Sequence, residues 1–215
     1  LSLHDALPIF IKNVEMVMAK ILVLKSSIMG EGSQTNRLID VMLEHRKDQG
    51  LQDDITIRNL AEMNLPVLDL EIFQALRGAE NVNQDIQQIV ALSDELIAEL
   101  KNADLLIIGA PMYNLNVPTQ LKNWFDLVAR ARQTFRYTET YPQGLVEGVK
   151  AVVVSSRGGI HVGQETEAVT PYLKAVLGLM GIHDVDFIYA EGLDMQAYRS
   201  NALDLANQQV KEFAI

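Results

Sequence analysis

Leu105-Leu106-Ile107-Ile108 is a four-residue apolar run closed by Gly109-Ala110-Pro111. It is too short for a buried helix, and nothing polar interrupts it to leave a solvated face. Such a run reads as a strand of a parallel sheet covered on both sides. Parallel strands need long crossover connections, usually helical, so this one stretch restricts the chain to alternating strands and helices. In open sheets of that kind ligands sit beyond the carboxyl ends of the strands. The tip that follows, Met112-Tyr113-Asn114-Leu115, is therefore expected to face a ligand.

The alternation extends along the chain. Ile21-Leu22-Val23-Leu24 is a first strand, and a helix over residues 34–49 carries Leu38, Val41 and Met42 at helical spacing before Gly50. Ile55-Thr56-Ile57 reads as the second strand, and residues 59–83 form an aperiodic excursion with a short helix near residues 71–76. Ile86, Ile89, Ser93, Leu96, Ile97 and Leu100 mark an amphipathic helix leading into the opening strand. Pro118 sits at a helix start, with Leu121, Trp124, Phe125 and Val128 on one face. Residues 132–148 read as an irregular loop or small hairpin. Ala151-Val152-Val153-Val154-Ser155 is a fourth strand, followed by a helix bearing Val169, Leu173, Val176, Leu177 and Met180 that stops at Gly181. Asp186-Phe187-Ile188-Tyr189-Ala190 is a fifth strand, and Leu203, Ala206, Val210 and Phe213 mark the last helix. Right-handed crossovers then give an α/β three-layer sandwich around a five-stranded parallel sheet in the order 2-1-3-4-5.

With 215 residues the chain reads as one domain, residues 18–215. Residues 1–17 begin without Met and hold no basic residue before Lys12, so they lack the charged start of a signal peptide. They read as a non-native gene-assembly tail, the alternative being a genuine N-terminal extension. A net charge of −10 with no basic cluster argues against nucleic acid and against anionic lipid as partners. The chain has no cysteine, which removes disulfides, thiol nucleophiles and thiolate metal sites, and fits a cytoplasmic setting. No apolar run reaches the length of a membrane span. Its four histidines show no metal-ligand spacing, so no metal is expected.

Three strand-end loops carry chemistry. In the first, Ser27, Ser33, Gln34 and Thr35 offer neutral donors at the start of a helix, where exposed amides and the helix dipole favour an anion. No Lys or Arg lies within residues 26–36, and neither a P-loop nor a G-x-G-x-x-G fingerprint is present, so a single phosphate suits this loop better than a triphosphate. Taken alone, Ser33 reads equally well as a helix cap. In the second, Tyr113 offers a flat ring and Asn114 a donor and an acceptor. In the third, Ser156-Arg157-Gly158-Gly159 lets backbone amides come close to a ligand. Each of these two alone reads more simply as a turn. The strands that carry the three loops are neighbours in the 2-1-3-4-5 order, so the loops converge. Their contents match a phosphate, a ring face and a ring edge, as an FMN site requires.

Several of these stretches together resemble the FMN-dependent NADH:azoreductases, flavodoxin-like NAD(P)H:quinone oxidoreductases. They are Lys25-Ser26-Ser27 with Ser33-Gln34-Thr35, Ala110-Pro111-Met112-Tyr113-Asn114, Thr119-Gln120-Leu121-Lys122-Asn123 with Phe125-Asp126-Leu127, and Ser156-Arg157-Gly158-Gly159-Ile160-His161. Phe135-Arg136-Tyr137-Thr138-Glu139 and Thr170-Pro171-Tyr172-Leu173 also fit. The resemblance covers about residues 18–213. It implies a flavodoxin-like fold, a homodimer with FMN at the interface, NADH as electron donor, and two-electron ping-pong reduction of quinones and aromatic azo compounds. The cofactor contacts it implies fall on Ser27, Ser33, Gln34, Thr35, Met112, Tyr113, Asn114, Leu115, Ser156, Arg157, Gly158 and Gly159. Leu115 stands where the family commonly has Phe, and Thr35 where Ser is common.

The cofactor performs the hard chemistry in such enzymes, so no catalytic residue is expected of the protein. His161 is a candidate proton donor, read more simply as a hydrogen-bonded structural histidine. Phe135 and Tyr137 are candidates for an aromatic wall over the ring, the competing reading being packing between subunits. The Trp124 helix and the 59–83 excursion offer more apolar groups than one sheet face needs, which also points to a dimer. The rival function is a flavodoxin-type electron carrier, against which the lack of a Thr-rich phosphate loop counts.

Overall fold

The structure, a computed structural model, describes residues 18–213. The expected leader at residues 1–17 lies outside the described residues. In chain order the elements are β1 (Lys20–Lys25), α1 (Gln34–Asp48), β2 (Asp54–Asn59), α2 (Leu70–Leu76), α3 (Gln84–Asn102), β3 (Leu105–Gly109) and α4 (Thr119–Val128). There follow β4 (Phe135–Arg136), β5 (Gln143–Gly144), β6 (Lys150–Ser156), α5 (Val169–Met180), β7 (Val185–Ala190) and α6 (Arg199–Glu212). A 3₁₀ turn at Gly30–Gly32 interrupts the loop before α1.

The main sheet has five strands in the order β2-β1-β3-β6-β7, every pair parallel. This is the expected 2-1-3-4-5 order counted over the sheet strands. β3 lies at its centre, where all five residues of Leu105–Gly109 are buried. The two faces are covered separately. On one, Leu38, Ile39 and Met42 of α1 and Ala206 and Val210 of α6 pack against Val23, Ile107 and Val152. On the other, α3, α4 and α5 bring Leu96, Trp124 and Leu173 against Leu24, Ile108 and Val153. Alternate strand residues thus serve opposite layers.

The helices start and stop as their sequences dictate. Ser33, Asp69 and Asn83 cap α1, α2 and α3, each accepting the amide of the residue three further on. Gly181 ends α5 in the left-handed conformation at φ 104°. Pro118 caps α4 rather than occupying its first turn. The excursion yields one short helix, α2, and residues 132–148 yield the small β4–β5 hairpin.

The expected apolar excess on the α4 helix is not there, because Trp124 and Phe125 are 0% and 1% exposed and belong to the core. The exposed apolar side chains of that region, Val67, Leu70 and Phe73, come from the excursion and α2 instead. At the sheet edge β2 leaves Ile55 and Ile57 exposed, while Arg58 is tied to Glu95 and Glu99 of α3.

Candidate functional site

The carboxyl ends of β1, β3, β6 and β7 open onto a crevice of about 310 Å³. That volume falls within the range of small-molecule sites. Loop one contributes Ser27, Gly32, Ser33 and Gln34, loop two Pro111, Met112 and Tyr113, and loop three Ser156, Arg157 and Gly158. The three loops read from the sequence therefore meet in one place. A fourth wall, not foreseen, comes from the β7–α6 loop: Leu193, Asp194 and Arg199. Its signal was a further strand end followed by Gly192, which takes φ 70°, with an acid and a base just beyond.

Close packing brings the loops together. A Cβ on Gly109 would lie 2.9 Å from Ile39 Cδ1 and 3.1 Å from Thr35 Cγ2, so the absence of a side chain there lets α1 seat closely against the end of β3. Thr35 thereby reaches across to β6, its Oγ1 lying 2.6 Å from Ser156 Oγ. Ser26 donates its hydroxyl to the Gly109 carbonyl at 2.6 Å. The Ser27 and Tyr113 hydroxyls are 2.9 Å apart and join loop one to loop two.

The first turn of α1 suits an anion. The amides of Gln34 and Thr35 have no partner inside the helix, and the helix dipole adds to them. The first turn carries no acidic side chain. Ser33 is a cap, as its simpler reading held, accepting from the Asn36 amide at 3.1 Å. Accepting that bond leaves its hydroxyl proton free to donate, so cap and ligand contact are compatible. Thr35 is fully buried and its hydroxyl is committed to Ser156. What it can offer a ligand is its amide.

The tip of loop two is a tight two-residue turn. The Tyr113 amide donates to the Asn116 carbonyl at 2.9 Å and the Asn116 amide returns to the Tyr113 carbonyl at 3.0 Å. Asn114 and Leu115 both have positive φ, 48° and 64°. Asn tolerates that geometry; leucine does so only at a cost. Met112 and Tyr113 face the crevice. Asn114 instead lines an adjoining groove of about 670 Å³ with Ile28, Gln120, Lys122 and Tyr172, and Tyr113 borders both spaces. Leu115 lines neither.

Loop three is held by a buried ionic cluster. The side chain of Arg157 has no exposed area and pairs with Glu167 and Glu191. Its guanidinium lies 4.7 Å from the centre of the Tyr189 ring. Glu191 also accepts the amides of His161 and Val162 at 2.8 and 3.0 Å. Burial pushes the Glu167 carboxyl upward, but hydrogen bonds from Arg157 and the Thr170 amide outweigh it and hold the group below its usual range. Burial raises the Tyr189 phenol despite its bond to Thr170. Arg157 thus lines the crevice through its backbone, its side chain being used elsewhere. The carbonyls of Arg157, Gly158 and Gly159 accept the amides of Leu193, Asp194 and Gly192, tying loop three to the β7–α6 loop beyond the ends of the two strands.

Loop three and the β7–α6 loop are close-packed beside the crevice: a Cβ on Gly158 would fall 2.2 Å from Asp194 Oδ2, so the Asp194 side chain would have to move to admit it. His161 covers Gly159, which does not itself line the crevice, and its Nδ1 is 2.8 Å from the Thr166 hydroxyl. That bond matches the structural reading of this histidine. Phe135 and Tyr137 form an edge-to-face pair with centroids 5.5 Å apart in a separate cavity beside Phe73 and Leu76. They do not wall the crevice of their own chain. Among the described residues no cluster of His, Asp and Glu could hold a metal ion, and no helix is long and apolar enough to cross a membrane.

Comparison with known proteins gives the fold and the relatives. The family described as flavodoxin-like fold matches residues 19–214. The FMN-dependent NADH:quinone oxidoreductase 4 of Burkholderia lata is 69% identical over 185 residues, covering 86% of this chain and 93% of that protein. The FMN-dependent NADH:quinone oxidoreductase of Aeromonas salmonicida is 55% identical, covering 92% of this chain and all of that one, 100%. Among solved structures, an FMN-dependent NADH-azoreductase from Bacillus anthracis in complex with FMN superposes with a TM-score of 0.79 at 26% identity. That match covers 92% of this chain and 100% of the other.

Proposed function

The chain belongs to the flavodoxin-like fold family, and from that premise we propose that it is an FMN-dependent oxidoreductase that uses NADH to reduce quinones. Aromatic azo compounds are a second class of acceptor. The observation that carries the reading is the convergence of three loops with phosphate, ring-face and ring-edge chemistry on one crevice, in a chain 69% identical to an FMN-dependent NADH:quinone oxidoreductase.

The residues present fit FMN. The amides at the start of α1, with the Ser33 hydroxyl, would hold its phosphate. Met112 and Tyr113 would lie along the ring, and the backbone of loop three at Ser156, Arg157 and Gly158 would meet its polar edge. When bound, FMN supplies two-electron chemistry, accepting hydride from NADH and giving electrons up to the acceptor. The protein would hold the phosphate at loop one and the ring between loops two and three, where donor and acceptor would reach it. The Ser27–Tyr113 and Thr35–Ser156 bonds keep those loops in register before any ligand arrives. The Arg157 cluster fixes loop three without placing its charge in the crevice.

A homodimer is part of the proposal. Its support is the exposed Val67, Leu70 and Phe73, the last sharing a cavity with the exposed Tyr137, which the monomer leaves uncovered. The aromatic pair Phe135 and Tyr137 would then act at a subunit boundary. A cytoplasmic setting is also proposed, supported by the absence of cysteine and the use of NADH.

The test is spectroscopic. The FMN-loaded protein without oxygen should lose its visible flavin absorbance on addition of NADH and regain it on addition of a quinone. FMN binding without bleaching by NADH would favour the electron carrier. Absence of FMN binding would overturn the reading of the three loops.

A further inference from the structure

Loop one brings no basic side chain to the phosphate end of the crevice. Residues 26–36 contain no Lys or Arg, and neutral donors at one helix start must offset a dianion. Two arginines line the crevice, Arg157 and Arg199. Arg157 is consumed: its side chain is fully buried and bound to two carboxylates. Arg199 is differently placed. It is the first residue of α6, a helix with no acidic side chain in its first turn and no side-chain cap. α6 packs beside α1 on the same face of the sheet, so the two helix starts flank the crevice together. The Arg199 Nη1 donates to the Leu193 carbonyl at 2.7 Å, which holds one arm of the guanidinium and leaves Nε and Nη2 to donate elsewhere. Among the described residues that is its single side-chain bond, and no carboxylate lies within ion-pair distance of it. Asp194, the acid that also lines the crevice, is held toward loop three, where its amide bonds the Gly158 carbonyl at 3.0 Å. Its carboxylate meets the position of a Gly158 Cβ.

We propose that Arg199 is the phosphate-recognising cation of the crevice, engaging the terminal phosphate of FMN from α6, across from the neutral donors Ser33 and Gln34 of loop one. The assignment rests on the flavin reading above and adds to it a residue outside the three loops. A guanidinium presents a planar fork of donors matched to phosphate oxygens, and its remaining N–H groups are available for that contact. It makes the site selective for phosphorylated flavin over riboflavin, which shares the ring and the sugar chain and lacks the charge.

The experiment titrates flavin-stripped protein with FMN and, separately, with riboflavin, following quenching of flavin fluorescence. Arg199→Gln should weaken FMN binding about tenfold, the value of a charge-assisted contact at a partly open site, and leave riboflavin binding unchanged. The loss should shrink as salt rises, because screening erodes the wild-type advantage. Arg199→Lys should keep part of the FMN preference, since it retains charge and loses the fork. Unchanged FMN binding by Arg199→Gln, or an equal loss for FMN and riboflavin, overturns the assignment while leaving the flavin reading intact. A wild-type protein that binds neither flavin overturns both.

Discussion

The Thr35 and Ser156 hydroxyls lie 2.6 Å apart, joining the first turn of α1 to the carboxyl end of β6. Ser156 lines the crevice, and Thr35 is fully buried behind it. Thr35→Val keeps the shape and strands the Ser156 hydroxyl, so it should cost about 1–2 kcal/mol of unfolding free energy in urea. Ser156→Ala should cost a similar amount. Thr35→Val/Ser156→Ala should lose less than the sum, because removing both partners leaves no orphan. Additive losses would show that the pair does not act as a unit.

The five-stranded order and the three loops were readable because their signals are local. Apolar runs such as Leu105-Leu106-Ile107-Ile108, closed by turn residues, declare buried parallel strands without any tertiary knowledge. What the sequence could not reveal was how side chains are spent. Arg157 stands in a loop that faces a ligand, yet its charge is taken by Glu167 and Glu191, 10 and 34 residues away. Trp124 looks like surplus aromatic surface until α4 is seen packed inward, where it is 0% exposed. Phe135 and Tyr137 carry aromatic character but no indication of which cavity they line. Asp194 and Arg199 follow the fifth strand in a loop with no repeated donor pattern, and only the packing of α6 beside α1 brings them to the crevice.

Arg157 and Glu167 give the fold an acid-sensitive joint. The Glu167 carboxyl is held below its unfolded value, so the native state favours the ionised form. The stability it contributes is present above the unfolded carboxylate range and is lost as pH falls through the lowered folded value. Stability measured by urea unfolding should therefore decline on acidification, and Glu167→Gln should flatten part of that decline. Arg157→Ala should cost about 3–5 kcal/mol at neutral pH, since it leaves two carboxylates without their partner. A loss under 1 kcal/mol would contradict the burial of this cluster.

Gly158 and Asp194 should behave as a coupled pair. A Cβ at Gly158 meets Asp194 Oδ2 at 2.2 Å, the far end of a side chain that can move. Gly158→Ala should displace that carboxylate and weaken FMN retention in gel filtration, while the fold survives. In an Asp194→Ala background the same substitution should cost much less, because the obstructing atom is gone. Gly144 offers the contrast: its Cβ would lie 2.2 Å from the Gly181 amide nitrogen, which is backbone. Gly144→Ala should destabilise by about 3 kcal/mol in any background, as overpacking against an immovable neighbour does.

Leu115 holds φ at 64° in the tip turn, a conformation that glycine adopts freely and leucine does not. It is 44% exposed and lines neither the crevice nor the adjoining groove, so little packing energy offsets the strain. Leu115→Gly relieves a cost of about 1–2 kcal/mol and adds unfolded-state freedom of somewhat smaller size. The variant should be more stable than the parent by up to about 1 kcal/mol in thermal or urea unfolding. Strain held at an exposed loop tip points to contact with a bound acceptor or with a second subunit. Steady-state kinetics should then show a changed KM for bulky quinones with FMN retention unaffected. A variant that is both less stable and kinetically identical would assign Leu115 to packing that the monomer does not contain.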